Sequence, residues 1–396
     1  MAEREVWITG IGIVSALGEG PEAHWQGLEA AKPTADATMF APYIVHPLAP
    51  LALDKQIPKK GDQRQMESWQ RIGTYAAGLA LDSAGAKGNA DLLGRMDLIV
   101  GAGGGERDQS ADSAIMTGLR TAANPGTFLN ERLMSDLRPT LFLAQLSNLL
   151  AGNISIVHGV TGSSRTFMGE EAAGFDALRI GRARIEAGQS DIVLVGGAHN
   201  GEREDLLVLY QSGGYTLKDR FAPVFERKAQ GGGFALGSLG AFLVLESADH
   251  ARARSATAHA KLTRVVSDRS SRKPGSTTAL LERMWSGFAP QLAPGRHAII
   301  SGATGAEPAT SEEREFLNAH AGVPVRATGT HIGHGMETQF PMNVALAAVA
   351  LSHGKLFAAA NGSEIERPME GPLAQVVVTG VGHWRGEGMA LVEAVS

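Results

Sequence analysis

The chain has 396 residues, of which 43% are hydrophobic and 19% are charged, so it is long enough to bury a large core. Its formal net charge of −5 leaves no excess of Lys and Arg for binding phosphates, which argues against a nucleic-acid-binding protein. The absence of cysteine excludes disulfides, thiolate metal sites and cysteine nucleophiles. The opening MAEREVWITG does not resemble a signal peptide, and no apolar run approaches the roughly 20 residues of a membrane helix. We therefore expect a cytoplasmic protein.

Short apolar runs alternate with longer segments of helical periodicity, which favours an α/β fold with a buried parallel sheet. The predicted strands are residues 6–9, 98–100, 191–195, 241–246, 298–300, 376–379 and 389–394. The predicted helices are residues 22–29, 69–84, 171–187, 311–319 and 342–353. Neither HExxH nor HxH spacing occurs, so the sequence predicts no metal, and no motif indicates a cofactor.

The chain shows a loose internal symmetry. The helix at 171–187 and the helix at 342–353 occupy similar places in two halves of similar pattern. Two α/β halves related by a pseudo-twofold axis would explain this arrangement. The segment 248–261 is polar and rich in small residues, so it is interpreted as the connection between the halves. The predicted domains are residues 1–250 and 251–396.

Several segments resemble elongating β-ketoacyl-ACP synthases. They are VWITGIGIVSALGEGPEAHW at 6–25, DQRQMESWQRIGTYAAGLALDSAG at 62–85, the mid-chain segment at 221–254 and GTHIGHGMETQFPMNVALAAVALSHGKL at 329–356. The resemblance covers essentially the whole chain in the family's order. It implies a duplicated thiolase-like α/β fold with αβαβα layers, and residues 1–250 and 251–396 as its two thiolase-like halves.

The segment AGNISIVHGVTGSSRTFMGEEAAGFDALRIGRARIEAGQSDIVLVGGA, at 151–198, follows the family pattern without a gap. On this register Glu171 lies at the position of the nucleophilic cysteine, and Gly174 lies in the small-residue turn that follows it. A condensing enzyme needs a thiolate at a helix N-terminus, where the helix dipole lowers its pKa and where it accepts the acyl chain as a thioester. A carboxylate is a poor substitute, because an acyl-carboxylate anhydride hydrolyses easily.

The resemblance also locates the remaining catalytic positions. Gly333 and His334 match the family's second-histidine motif, whereas Ser301 lies at the position of the first histidine. Gly329 replaces the lysine that lies five residues before the second histidine. Trp384 lies where the family's glycine-rich loop has a gating phenylalanine. With nucleophile, one histidine and lysine all missing, condensation by this chain alone is implausible.

Alternatives remain for each of these residues. Glu171 could cap its helix, pair with His334 or act as a base, or it could be a tolerated polar residue in an inactive site. His331 and His383 lie in neighbouring loops and could supply a second imidazole, although a surface position is favoured for both. Trp384 could shape an acyl tunnel or fill the core.

The resemblance implies a role in fatty-acid or polyketide-like chain elongation. The first hypothesis is a non-condensing partner of an active β-ketoacyl-ACP synthase that sets chain length, as chain-length factors do. The chain particularly resembles the second synthase-like protein of the rhizobial very-long-chain pathway for lipid A. The alternatives are a malonyl-ACP decarboxylase and an acyl-ACP-binding protein without catalysis. The implied partners are acyl carrier protein and an active synthase in a heterodimer, or a second copy in a homodimer.

Overall fold

The computed structural model describes residues 4–32, 34–136, 143, 145–360, 363, 365–369 and 371–395. Within them the strands are β1 (Val6–Ser15), β2 (Gly18–Glu19), β3 (Asp36–Phe40), β4 (Tyr43–His46), β5 (Asp97–Ala102), β6 (Ser164–Met168), β7 (Ile192–His199), β8 (Leu236–Gly237), β9 (Leu239–Ser247), β10 (Ala260–Asp268), β11 (His297–Ser301), β12 (Val325–Ala327), β13 (Gln375–Val381) and β14 (Glu387–Glu393). All seven predicted strands are confirmed, each overlapping one of these elements to within one residue at its ends.

The helices fill the intervals between the strands. They are α1 (Gly20–Glu29), α2 (Lys60–Gln65), α3 (Ser68–Ser83), α4 (Ala90–Arg95), α5 (Gln109–Leu119), α6 (Pro125–Asp136), α7 (Leu149–His158), α8 (Glu171–Glu186), α9 (Glu204–Ser212), α10 (Ala248–Ala253), α11 (Ser276–Phe288), α12 (Ala309–Ala319), α13 (Gly329–Ile332) and α14 (Gln339–His353). Short 3-10 turns lie at Leu53–Lys55, Val224–Gln230, Ala289–Gln291 and Met336–Thr338. The five predicted helices are confirmed, whereas the connection predicted at 248–261 contains α10 and the start of β10.

The main sheet shows the internal duplication directly. Its strand order is β12-β11-β13-β14-β10-β1-β9-β7-β5-β6, with β2 paired to β1. The main strands of the first half are β1, β5, β6, β7 and β9, and those of the second half are β10 to β14. When each set is numbered 1 to 5 along the chain, both halves have the order 3-2-4-5-1 from the outer edge of the sheet inwards. The halves meet where β1 pairs antiparallel with β10, at Trp7 opposite Lys261. The domain boundary at residue 250 stays a prediction, and β10 begins ten residues beyond it.

The expectation of a wholly parallel sheet is wrong. Parallel pairs occur only towards the outer edges of the described sheet, where β5 lies between β6 and β7 and β11 lies between β12 and β13. The pairs that involve β9, β1, β10 and β14 are antiparallel. Of these, β1 and β9 are covered by helices on both faces and are buried along their whole length, as parallel strands usually are, whereas β10 is only partly buried.

Two central helices separate the layers. α8 and α14 pack together, and their apolar residues share one core with residues from the strands of both halves. A second core lies beneath α3 and α7 on the outer side of the first half, and a third beneath α11 and α12 on the outer side of the second. Every residue of α14 from Gln339 to Leu351 is buried, as expected for a helix enclosed between layers. This arrangement confirms the αβαβα layering.

The two central helices occupy equivalent places in the duplicated pattern. α8 follows β6, the third strand of its half, and α14 follows β12, the third strand of the other half. The loop before α8 and the loop before α14 therefore approach each other between the layers. This geometry brings Glu171 and His334 together although they are 163 residues apart in the chain. No helix among the described residues has the length and apolar character needed to span a bilayer.

We expect acid to destabilise the fold through the buried His24. Burial lowers the pKa of this imidazole to about 4 from 6.5, although its contact with the Gly20 carbonyl oxygen acts in the opposite direction. Because the unfolded chain binds the proton more tightly, stability from this group is complete above pH 6.5 and falls as the pH drops towards 4. Between pH 7 and pH 5, the free energy of unfolding measured in urea should therefore decrease by about 2 kcal/mol because of His24. A His24→Gln variant with an unchanged pH dependence would contradict this assignment.

Candidate active site

Glu171 is the first residue of α8, and its carboxylate is enclosed by the second half of the chain. The side chain is 3% exposed. Its Oε1 atom lies 2.8 Å from His334 Nε2 and 2.9 Å from His383 Nδ1, and it accepts a third hydrogen bond, of 3.1 Å, from the His383 backbone N–H. The Oε2 atom is also buried and has no hydrogen-bond partner. Glu171, His334 and His383 are called the Glu-His-His cluster below.

Tight backbone packing fixes the first two members of the cluster. A Cβ atom on Gly174 would lie 2.3 Å from the Glu337 carbonyl oxygen, so only glycine allows this approach of α8 to the loop before α14. Gly333 has φ +72°, and a Cβ there would lie 2.8 Å from His46 Cδ2. The backbone of His334 pairs with the residues on either side of Leu236. The His334 N–H donates to the Ala235 carbonyl, and the His334 carbonyl accepts from the Gly237 N–H.

The sequence analysis placed His383 at the surface, but His383 is 6% exposed and completes the cluster. It lies in the loop between β13 and β14, where the Gly382 N–H donates to the Gly386 carbonyl and turns the loop back on itself. Its ring packs against Tyr210, Tyr215 and Phe234, with ring centroids 5.4, 4.8 and 5.4 Å away. His331 is also buried, at 4% exposed, so a surface position is wrong for both histidines.

The charges in the cluster can be assigned. Burial alone would raise the pKa of Glu171, but the charge of His383 and hydrogen bonds from His334 and His383 together hold that pKa well below its usual value. Burial alone would lower the pKa of His383, yet the Glu171 charge raises it. Burial lowers the pKa of His334 and outweighs its hydrogen bond to Glu171. These directions favour a Glu171 carboxylate paired with a His383 imidazolium, and a neutral His334 that donates its Nε2–H.

Ser301, which the sequence predicts to lie at the first-histidine position, belongs to a different polar network. Its hydroxyl donates to Glu313 Oε1 at 2.7 Å, and the Thr379 hydroxyl donates to the same oxygen at 2.6 Å. Burial raises the pKa of Glu313, and these two hydrogen bonds oppose the rise only in part. Ser301 thus bonds to one oxygen of a buried carboxyl group and does not supply a group beside Glu171.

Trp384 lies at the mouth of the site. It is 61% exposed, so the alternative that it fills the core is wrong. A cleft of about 410 Å³ lies here, and its lining includes Trp384, Arg385, Glu170, Tyr210 and His383. A role of Trp384 as a gate over an acyl tunnel stays a prediction.

A second cavity, of about 340 Å³, shares Glu170 and Tyr210 with this cleft. Its lining brings together polar residues that the sequence analysis missed, notably His199 and Glu337. Glu337 Oε1 accepts a hydrogen bond from the Gly103 N–H at 3.0 Å and lies 3.8 Å from His199 Nδ1. The sequence signal for Glu337 is weak: it is a carboxylate that lies three residues after His334.

The comparisons with known proteins agree with this architecture. The family model described as the β-ketoacyl synthase N-terminal domain matches residues 3–251. The chain belongs to the β-ketoacyl synthase family. It is 24% identical over 271 residues to 3-oxoacyl-[acyl-carrier-protein] synthase 2 of Vibrio cholerae, a match that covers 66% of this chain and 62% of that protein.

Solved structures of ketosynthases have the same fold. The ishigamide ketosynthase/chain length factor aligns with a TM-score of 0.81 and 20% identity and covers all of both chains. A ketosynthase chain from a type II polyketide synthase, solved with its acyl-carrier protein and bound to the hexaketide, aligns with a TM-score of 0.73 and 17% identity over 99% of this chain and 100% of that chain. The β-ketoacyl synthase family and the thiolase-like fold predicted from the sequence are therefore both confirmed.

Removing the Glu171 carboxylate should destabilise the β-ketoacyl synthase fold. Glu171→Ala would leave the buried His383 imidazolium without its counter-ion, and truncating one member of a buried ion pair costs about 3 kcal/mol or more. Glu22→Ala is the matched control, because Glu22 lies on the exposed first turn of α1. Glu22→Ala should lower the free energy of unfolding by less than about 1 kcal/mol. Urea unfolding at neutral pH measures this free energy for both variants, and equal decreases would contradict the assigned ion pair.

Proposed function

We propose that this β-ketoacyl synthase homologue is a non-condensing partner subunit that helps to set chain length for an active synthase. The observation that carries the proposal is that Oε1 of Glu171, the residue predicted to lie at the nucleophile position, accepts three hydrogen bonds inside the protein. A carboxylate held at low pKa by a buried cation is a weak nucleophile, and its acyl anhydride would not persist as the thioester of a condensing enzyme does.

The histidines of the cluster support the same conclusion. Imidazoles that stabilise a developing enolate must direct their N–H groups at the substrate oxygen. Here His334 Nε2 and His383 Nδ1 both face Glu171, whose charge would also oppose an enolate anion. This arrangement disfavours the malonyl-ACP decarboxylase hypothesis.

The surface around β6 is suited to a protein partner. β6 pairs with β5 on one side and forms the edge of the described sheet on the other. Beside this edge, Met168 is 73% exposed and Ile156 on α7 is 72% exposed. An open strand edge with large apolar side chains is prone to pair with another chain. We assign this surface to an active synthase in a heterodimer, with a homodimer as the arrangement when that partner is absent.

Acyl carrier protein is the second proposed partner. The support is by analogy, since one aligned ketosynthase structure contains an acyl-carrier protein and another includes a chain length factor. The cavity of about 340 Å³ behind Met168 would then adjoin the partner interface, where its walls could limit a growing chain. A cytoplasmic location and membership of the rhizobial lipid A subgroup both stay predictions.

A condensation assay tests the proposed role. Acyl-ACP and malonyl-ACP are incubated with this protein alone, with Glu171→Cys, and with the protein co-purified with an active synthase from the same genome. We expect no β-ketoacyl product from the protein alone, and a changed product length from the complex relative to the synthase alone. Condensation by the unaltered protein would refute the proposal, and CO₂ release from malonyl-ACP that is lost in Glu171→Ala would favour the decarboxylase instead.

The partner surface is tested separately by substitution. Met168→Arg places a charge on the β6 edge, so it should weaken complex formation with the active synthase by at least about tenfold, equivalent to about 1.4 kcal/mol. Met39→Arg is the matched control, because Met39 is 51% exposed on β3, in the smaller sheet. Analytical ultracentrifugation measures both complexes. Equal binding by the two variants would place the interface elsewhere, and acyl-ACP binding without any synthase complex would favour a stand-alone acyl-carrier-binding protein.

A further inference from the structure

The Glu-His-His cluster has a second property that the partner-subunit role does not use. One carboxylate oxygen and two imidazole nitrogens, from Glu171, His334 and His383, all lie within 4.8 Å of one another. Two histidines and one carboxylate are a donor set that Zn²⁺ and related divalent transition metals bind. We propose that the cluster binds one divalent transition metal ion, with Zn²⁺ as the preferred occupant.

The distances to Glu171 require only a small adjustment, whereas the two imidazole nitrogens, which lie within 4.8 Å of each other, would have to approach to about 3.3 Å. Zinc–nitrogen and zinc–oxygen bonds of about 2.0–2.2 Å in tetrahedral geometry place ligand atoms roughly 3.3 Å apart. Oε1 of Glu171 is now 2.8 Å from His334 Nε2 and 2.9 Å from His383 Nδ1, so each pair must separate by about half an ångström. A cavity of about 10 Å³ next to Glu171 leaves room for the carboxylate to move.

The unpartnered Oε2 atom of Glu171 is an independent observation. A buried carboxylate oxygen without a donor costs free energy, and most such atoms in proteins are satisfied. Three donors already converge on Oε1, so the cluster's own N–H groups leave Oε2 unsatisfied. A metal ion bound by the carboxylate would neutralise the charge on both oxygens. The His383 Nδ1 proton would be released to solvent, and His334 would carry its proton on Nδ1 instead of Nε2, so that both facing nitrogens could coordinate the ion.

The outer contacts also fit a metal site. A ligating histidine usually directs its second ring nitrogen at a carboxylate or a carbonyl oxygen. With His383 Nδ1 directed at Glu171, His383 Nε2 lies 3.7 Å from Glu170 Oε1. Glu170 and Glu171 together supply two negative charges that a divalent ion would balance. His383 and Glu170 also line the cleft of about 410 Å³, which gives an ion a route to the buried ligands.

Metal titration of the purified protein tests the proposal without any assay of chain elongation. After treatment with EDTA, the protein is titrated with Co²⁺, which gives strong visible absorption in tetrahedral sites, and with Zn²⁺ by calorimetry. We expect one ion per chain and displacement of Co²⁺ by Zn²⁺. No saturable binding of either ion would overturn the proposal and would leave the cluster as a proton-linked ion pair alone.

Variants decide whether the ion occupies this cluster. Glu171→Gln and His334→Asn should each weaken Zn²⁺ binding by more than 100-fold, and Glu170→Gln by about 10- to 100-fold. His331→Asn is the matched control, since His331 is a buried histidine outside the cluster, and it should bind Zn²⁺ as the unaltered chain does. Unchanged binding by both Glu171→Gln and His334→Asn would place the ion elsewhere and overturn the proposal. If a ligand variant fails to fold, the Co²⁺ spectrum of the unaltered protein still decides, because a spectrum without tetrahedral imidazole coordination contradicts the site.

Discussion

A negative charge buried at the centre of the molecule is the constraint on which the site depends. The Glu171 carboxylate is 97% removed from solvent, and an isolated charge there would be too costly to keep. Three donors on Oε1 and the cation at His383 make it tolerable. The features around it serve this arrangement: the glycine at 174 lets α8 approach, the positive φ of Gly333 directs His334, and the turn at Gly382 brings His383 inwards.

This constraint also decides how the negative charge at the N-terminus of the central helix is used. The sequence resemblance predicts a thiolate at this place in relatives, where the positive end of the helix dipole favours a negative charge. In this chain the charge of Glu171 is committed to intramolecular partners. The fold as a whole still aligns with the ishigamide ketosynthase/chain length factor, with a TM-score of 0.81.

Much of the fold and two of the three cluster residues were predictable from the sequence. Glu171 and His334 were singled out because each lies in a segment that resembles a family motif, and the position of a helix N-terminus is set locally. The pairing of Glu171 with His383 was not predictable in the same way, because the β13–β14 loop follows no regular periodicity and its histidine turns inwards only through a glycine turn. Strand direction was also missed, since continuous burial looks alike in parallel strands and in central antiparallel strands. The alignment of Ser301 with the first-histidine position stays a prediction, and its contact with Glu313 on α12 is one that no local sequence pattern records.

Glu171 belongs to the first half of the chain, whereas both imidazoles belong to the second, and His383 is 212 residues away from it. The two halves therefore depend on each other electrostatically, however closely their strand orders agree. A chimera that takes its first half from this protein and its second half from a relative without an imidazole at position 383 would leave the core carboxylate without this partner. In the reverse chimera, the imidazole at position 383 would have no acceptor. Exchange of halves would thus be limited by electrostatic compatibility across the central layer, and substitutions at positions 171 and 383 would have to accompany each other.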